Sequence, residues 1–210
     1  MDNIVIIGGG GHAKVLINII KKNNDFAITG YTDNNDCGEQ LGIKYLGNDT
    51  ILGELIKNNK CSHAALGVGQ INLNNKRYII TGSIKNLGYK FPAIISKDSI
   101  INEDVSIGEG TVVFDGVVIN SGAKIGKYSI INTGVIIDHD CEIGNHTHIA
   151  TGAVLSGGVK VRSNSMIGAG ATVIQYKEIT EGCMIGAGAV VTNDLKEPGV
   201  YAGIPAKKIK

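Results

Sequence analysis

The chain has 210 residues, a formal net charge of +1, 30 glycines, 5% aromatic residues and no Trp. That length gives one or two domains with a real core, and the near-neutral balance, with no long run of one sign, does not suggest an electrostatic nucleic-acid surface. No segment carries 18 unbroken apolar residues, which excludes a spanning helix, and with so few aromatics the core must be aliphatic.

The start, "MDNIVIIGGGGHAKV", lacks a basic n-region and its apolar run breaks into glycines, so it does not read as a signal peptide. "NIVII" reads as a short buried strand and "GGGGH" as a tight loop. "AKVLINIIKKNN" has helical spacing, with Val15, Leu16, Ile19 and Ile20 on one face and Lys21–Lys22 in the last turn. "FAITGYTD" and "HAALGVG" read as further strands, and "NKRYIITGSIKNLG" as a helix weakened by Gly82. Alternating β and α predicts a small α/β, Rossmann-like domain with a parallel sheet over residues 1–91, with Pro92 at its border. Four cysteines, Cys37, Cys61, Cys141 and Cys183, lie far apart without CxxC or Cys/His metal spacing, which fits reduced thiols and a cytoplasmic location.

From Ala93 the pattern changes. Residues 93–194 divide into seventeen hexads without an insertion, including VIIDHD, CEIGNH and THIATG. The third residue of every hexad is Ile, Val or Leu, and the first is Ala, Ser, Val, Thr or Cys except at Lys177. Repeats this short predict a parallel β-helix over 92–194, followed by a tail over 195–210. Its strands stack about 4.8 Å apart. The third-position aliphatics fill the inside, each contributing roughly 1.5–3 kcal/mol on burial. Gly, Asn and Asp at positions four to six suit the corners.

This half resembles the hexapeptide-repeat family, which implies a left-handed β-helix with three hexads per coil. On that period the outward second residues sort into three faces. The first reads Ile94, Val112, Ile130, His148, Met166, Met184; the second Ile100, Val118, Ile136, Val154, Thr172, Val190; the third Ser106, Lys124, Glu142, Lys160, Glu178. Two apolar outward faces and one charged face predict packing around a three-fold axis, a homotrimer, with His148 at or near a subunit interface.

"GGGGHA" also contains G-x-G-x-x-A between a strand and a helix, the dinucleotide fingerprint, with Asp33 placed as a ribose-binding acid. An NAD-binding oxidoreductase is therefore one reading. The domain is short for it and lacks a second mononucleotide half, and a bare helix N-terminus binds any phosphate.

Three of the five histidines, His139, His146 and His148, lie within Ile131–Val154. A zinc site needs convergent ligands. His139 and His148 are half a coil apart and leave different sides of the prism. Asp138 and Asp140 flank His139, and a carboxylate beside an imidazole raises its basicity. Chain neighbours seldom pair, which leaves open a contact across a subunit interface.

"IVIIGGGGHAKV", "INTGVIIDHDCEIGNHTHIATGAVLSGGVKV" and "GVYAGIPAKKIK", in this order, resemble the bacterial sugar-nucleotide N-acetyltransferases. That family includes enzymes acting on UDP-4-amino-sugars in bacillosamine synthesis and on GDP-perosamine; sialic acid O-acetyltransferases are similar. The resemblance implies acetyl-CoA as cosubstrate, a nucleotide-linked 4-amino-4,6-dideoxy sugar as acceptor, direct attack without a covalent intermediate, and no metal. It places the general base on His139 and the acid that tunes it on Asp140, where some members carry Glu. It places His148 at the thioester, backbone contacts to the coenzyme near Ala169 and Ala187, and an oxyanion donor at Gly157. Lys207 and Lys208 either meet the coenzyme phosphates or form a solvated basic end. The glycine loop goes to the sugar nucleotide: Gly10, Gly11 and His12 at the diphosphate, Asp33 and Asn34 at the base or ribose, and Gly67 and Gly69 at the border. Members that bind uridine nucleotides can carry two adjacent acids where this chain has Asp33–Asn34, so uridine versus guanosine stays open. His146 matches no functional position, and Cys141 points inward. Sugar O-acetylation, a zinc hydro-lyase of the γ-carbonic-anhydrase type and a non-catalytic sugar-nucleotide-binding scaffold are the other readings.

Overall fold

A continuous apolar strand is stable only when both of its faces are covered, and Ile4–Ile7 are fully buried at the centre of the first sheet. The computed structural model describes residues 1–73 and 76–210. They form two units, Met1–Lys97 and Asp98–Lys210. In the first, β1 (Asp2–Ile7), β2 (Phe26–Thr32) and β3 (His63–Leu66) make a parallel sheet in the order β2-β1-β3. Helix α1 (Gly11–Asn23) buries Ala13, Leu16, Ile17, Ile19 and Ile20. Val15, expected on that face, is exposed. Ala13, Leu16, Ile17 and Ile20 follow the i, i+3, i+4, i+7 stripe, and Val15 falls outside it. Asn24 ends the helix in the left-handed conformation, its N–H donating to Ile20 O.

Helix α2 (Leu52–Lys57), entered through a 3-10 turn at Asp49–Ile51, has no counterpart in the sequence reading. It is too short to show a helical period. Helix α3 (Lys76–Asn86) covers the second helix expected from the sequence, whose first residue, Asn75, lies outside the described residues. Gly82 sits inside α3 with open space around it, a tolerable cost of about 1 kcal/mol relative to Ala.

The second unit is a parallel β-helix with three sheets. Strands pair with those 18 residues away, as Ile130 does with His148 and His148 with Met166. The first sheet runs through Val112–Val113, Ile130–Ile131, His148–Ile149, Met166–Ile167 and Cys183–Ile185, then Gly199–Ala202 and Lys207–Lys208. The second runs from Ile100–Ile101 to Val190–Val191, and the third from Ser106–Ile107 to Glu178–Ile179. From Val113 to Val191 every third-position aliphatic is buried.

A hydroxyl ladder inside the prism repeats at the spacing of the coils. Thr111, Ser129, Thr147 and Ser165 are fully buried. Ser129 N–H donates to Thr111 Oγ1 at 3.0 Å, Thr147 N–H to Ser129 Oγ at 3.1 Å, and Cys183 N–H to Ser165 Oγ at 3.3 Å. Each links a residue to the one a coil away, so polar first positions are satisfied where an orphan would be costly.

The corners follow one rule. From Asp104 to Gly188 every sixth-position residue has positive φ. Most are Gly, for which this is free; Asp104, Tyr128, Asp140, His146, Asn164 and Tyr176 are not.

The outward faces differ from expectation in part. Val112 and Ile130 on the first face are already buried within the single chain. Exposed apolar surface is concentrated on the second face, where Ile100 is 59% and Ile136 42% exposed. On the third, Lys160 pairs with Glu142 at 3.2 Å and Arg162 with Glu178 at 2.6 Å. Among the described residues no helix is long and apolar enough to cross a membrane.

Candidate active site

The strand Ile136–Ile137 ends in a corner made by Asp138, His139 and Asp140. Asn102 donates to Asn120 Oδ1 at 2.9 Å, and Asn120 donates to Asp138 Oδ1 at 2.8 Å. All three are fourth-position residues, one coil apart. Asp138 Oδ1 also accepts the His139 N–H at 2.8 Å. The Asn120 amide holds the Asp138 carboxyl below its usual range, helped by the N–H groups of His139 and Gly157. Asp138 thereby fixes the backbone of His139 rather than its ring.

The ring belongs to Asp140. His139 Nδ1 lies 2.9 Å from Asp140 Oδ2. The pairing is within the chain, not across an interface. The left-handed φ of 58° at Asp140 turns its side chain back over its neighbour. Both groups are more than half exposed, and the hydrogen bond to Asp140 raises the His139 pKa above its ordinary value. With Nδ1–H donated to a carboxylate, Nε2 carries the lone pair.

Below the ring lies Gly157, one coil on. A Cβ there would meet His139 Cε1 at 2.6 Å. Gly157 is required for space, a role its reading as an N–H donor did not include. Beside it, Gly158 donates its N–H to His139 O at 2.8 Å, and a Cβ on Gly158 would meet Tyr176 Cε1 at 2.7 Å. The signal for Tyr176 was present: it is an aromatic at a sixth position, two coils from Asp140. Cys141 is fully buried, and burial pushes its thiol up to about 11, consistent with an inward role.

His148 is buried on the first sheet, its Nε2 3.2 Å from Asn132 Nδ2. His146 stacks on Tyr128 with ring centroids 5.1 Å apart. Ala169 and Ala187 sit one above the other at the exposed corner after the first sheet. At other corners a fourth-position side chain accepts the next N–H, as Asn132 does from Thr133 at 2.8 Å. Before Ala169 and Ala187 that position is Gly168 or Gly186, and among the described residues neither alanine N–H meets a backbone carbonyl. Lys207 is exposed on the strand paired with Gly199–Ala202, whereas Lys208 bonds Glu197 at 3.0 Å. His139, His148 and the two alanines thus occupy a corner, a face and another corner of one prism. Among the described residues no three His, Cys, Asp or Glu side chains are grouped to hold a metal.

The first unit has its own cavity, about 470 Å³, where β1 and β3 end. Gly8, Gly10, Gly11, His12, Asp33, Gly67 and Gly69 line it, with Gln70, Asn72 and Lys76, which the sequence reading did not include. Ligands collect at the carboxyl ends of parallel strands, and Lys76, opening α3, was findable on that ground. Gly10 and Gly11 face open space, and α1 starts there without a side-chain cap. Its first N–H groups are therefore suited to an anion. Asp33 accepts from Gly9 N–H at 2.8 Å and Asn35 N–H at 3.2 Å, which ties the loop to β2. Asn34 lines an adjoining hollow with Asp33, Thr32, Asp49 and Lys76.

Residues 3–79 match the PglD N-terminal domain family and residues 85–189 the GMPPB C-terminal domain family. No curated protein matches the chain. Among solved structures, PerB from Caulobacter crescentus, in complex with CoA and GDP-perosamine, is 33% identical with a TM-score of 0.93, the match covering 100% of this chain and 98% of that one. A histidine-to-alanine variant of GDP-perosamine N-acetyltransferase from the same organism is 32% identical over the same shares, with a TM-score of 0.93. The acetyltransferase domain of PglB from Neisseria gonorrhoeae, in complex with acetyl coenzyme A, is 31% identical over 99% of this chain and 98% of that one, with a TM-score of 0.90. Identity above 30% over nearly the full length, on the same two-part architecture, establishes that the chain belongs to the acetyl-CoA-dependent sugar-nucleotide N-acetyltransferases of the hexapeptide-repeat, left-handed β-helix family.

Proposed function

We propose that the chain transfers the acetyl group of acetyl-CoA to the amino group of a nucleotide-linked 4-amino-4,6-dideoxy sugar, with His139 as general base. The observation that carries this reading is the His139–Asp140 pair on an open corner, 2.9 Å apart, with Nε2 presented above Gly157. The amine attacks the thioester carbonyl. His139 Nε2 accepts the amine proton, the Gly157 N–H is shared between the Asp138 carboxylate and the tetrahedral oxyanion, and the coenzyme thiolate leaves with the proton returned by the imidazolium. Asp140 holds the tautomer and favours the charged ring. Cys141, buried with its thiol protonated, forms no acyl intermediate.

The N–H groups of Ala169 and Ala187 bind the pantetheine arm, His148 lies toward the thioester, and Lys207 meets the phosphates. Because these groups leave other sides of the prism than His139, one coenzyme site takes His139 from one copy and the alanine corner from a second. This supports a homotrimer closed through the exposed apolar second face. In the first unit, Gly10, Gly11 and His12 hold the diphosphate, Asp33 and Asn34 the ribose or base, and Gly67 and Gly69 leave room at the rim. The GDP-perosamine bound to the Caulobacter relative makes a guanosine-linked amino sugar the first acceptor to try.

The test is coenzyme A release with GDP-linked and UDP-linked 4-amino-4,6-dideoxy sugars. Turnover of at least one, lost in His139→Ala, is expected. A panel with no acetylated product, or a His139→Ala variant as fast as the parent, overturns the reading. Light scattering checks for three copies.

A further inference from the structure

Two tyrosines occupy the left-handed corner position, Tyr128 at φ 56° and Tyr176 at φ 56°. For a bulky residue this backbone is strained, and it persists only where something else fixes it. Asp and Asn at such corners have short polar side chains that can bond locally; tyrosine does not. Tyr128 is 6% exposed and stacks on His146, so packing offsets the strain. Tyr176 is 70% exposed. Its ring rests on Gly158, where a Cβ would meet Cδ1 at 2.5 Å and Cε1 at 2.7 Å. The neighbouring Gly157 lies in the same way against the His139 ring. One glycine dipeptide thus carries both rings, His139 from the coil before and Tyr176 from the coil after.

We infer that Tyr176 is a coenzyme-binding residue whose exposed ring face forms a wall for the pantetheine arm of acetyl-CoA. The inference rests on the acetyl-transfer reading above. With the amine at His139 and the thioester carbonyl at Gly157, the rest of the donor continues past Gly158, where Tyr176 stands. The alanine corner lies in the same direction along the prism. Ala169 shares the coil of Tyr176, and Ala187 lies one coil further toward the C-terminus. In a three-fold assembly equal coils lie at equal height, so Tyr176 of one copy faces the alanine corner of the next across the groove. An arm of amides and methylenes packs on an aromatic face, and the phenol tip suits a wet groove.

Tyr176→Gly and Tyr176→Phe in the full chain test this by calorimetric titration with coenzyme A, steady-state kinetics and thermal melting. Tyr176→Gly is expected to weaken coenzyme A and raise KM for acetyl-CoA roughly five- to tenfold. KM for the amino-sugar nucleotide stays within about twofold. The melting temperature holds or rises, because glycine relaxes the corner. Tyr176→Phe keeps the ring and most of the affinity. Coenzyme affinity unchanged in Tyr176→Gly overturns the inference, as does a loss falling on the sugar nucleotide instead. If the parent chain itself fails to bind coenzyme A, acetyl transfer falls as well. If the parent binds it and Tyr176→Gly binds it equally, only the role of Tyr176 falls.

Discussion

The edge after the third sheet carries Tyr128 and His146 one coil apart, and the edge after the second carries His139, Asp140 and Tyr176. Both edges are built on the same left-handed sixth position. On the first, tyrosine and histidine close on each other and Tyr128 is buried. On the second, the rings lie on glycines and face solvent. The backbone is common to both, so it does not mark a site. What separates them is whether the strained residue is satisfied inside the chain. Strain offset by packing is architecture, and strain left exposed beside an ionisable pair is a reason to look for a ligand.

Substitutions on the two edges should therefore fail in different ways. The largest effect is expected from His139→Ala, a fall in kcat of roughly 100- to 10,000-fold with an unchanged melting curve, measured by coenzyme A release and by calorimetry. Tyr128→Ala should do the reverse. Loss of the stack and of the buried ring costs about 3 kcal/mol in a denaturant titration, while kcat per folded molecule holds. If that variant lost activity without losing stability, the division between the edges would collapse. Gly157→Ala places a methyl against the His139 ring and should lower kcat about 100-fold by moving the base. A crystal structure with the ring undisturbed would contradict it.

The smallest effect is expected at Asp140. Asp140 raises the His139 pKa, and only the neutral ring accepts a proton, so activity falls as pH drops through that pKa. In Asp140→Asn the acidic limb of the kcat/KM profile should move to lower pH, with up to about a tenfold loss on the plateau. A limb that stays in place would assign the proton to another group.

The β-helix was legible because a strict six-residue period leaves little freedom: one aliphatic position per hexad fixes the register of every strand. The same register separates His139 from His148 in the sequence alone. Other features were hidden for local reasons. Val15 sits among apolar neighbours, and only the helical phase shows it to be outside the stripe. Helix α2 is shorter than the period that would reveal it. The His139–Asp140 contact was unexpected because extended neighbours point apart; it follows once the corner is known to be left-handed at Asp140. Burial of Val112 and Ile130 depends on what covers a face, and a periodic pattern carries no such information. The site roles of the glycine loop were placed by resemblance, whereas the cavity also brought in Gln70, Asn72 and Lys76 from the segment after β3.

The backbone ladder makes the prism grow in fixed increments, and the buried hydroxyls of Thr111, Ser129, Thr147 and Ser165 repeat at the same step. Each accepts from, or stands in line with, a residue one full turn away, so a one- or two-residue insertion would throw the interior out of step. Height along the axis then changes only in units of about 4.8 Å. From His139 to Ala187 is a little under three units, about 13 Å. On the proposed chemistry the chain works as a gauge with coarse graduations, cut to a coenzyme of set length. Related chains are free to vary their surfaces and loops, but the number of turns above the base is the quantity that selection cannot adjust by small amounts.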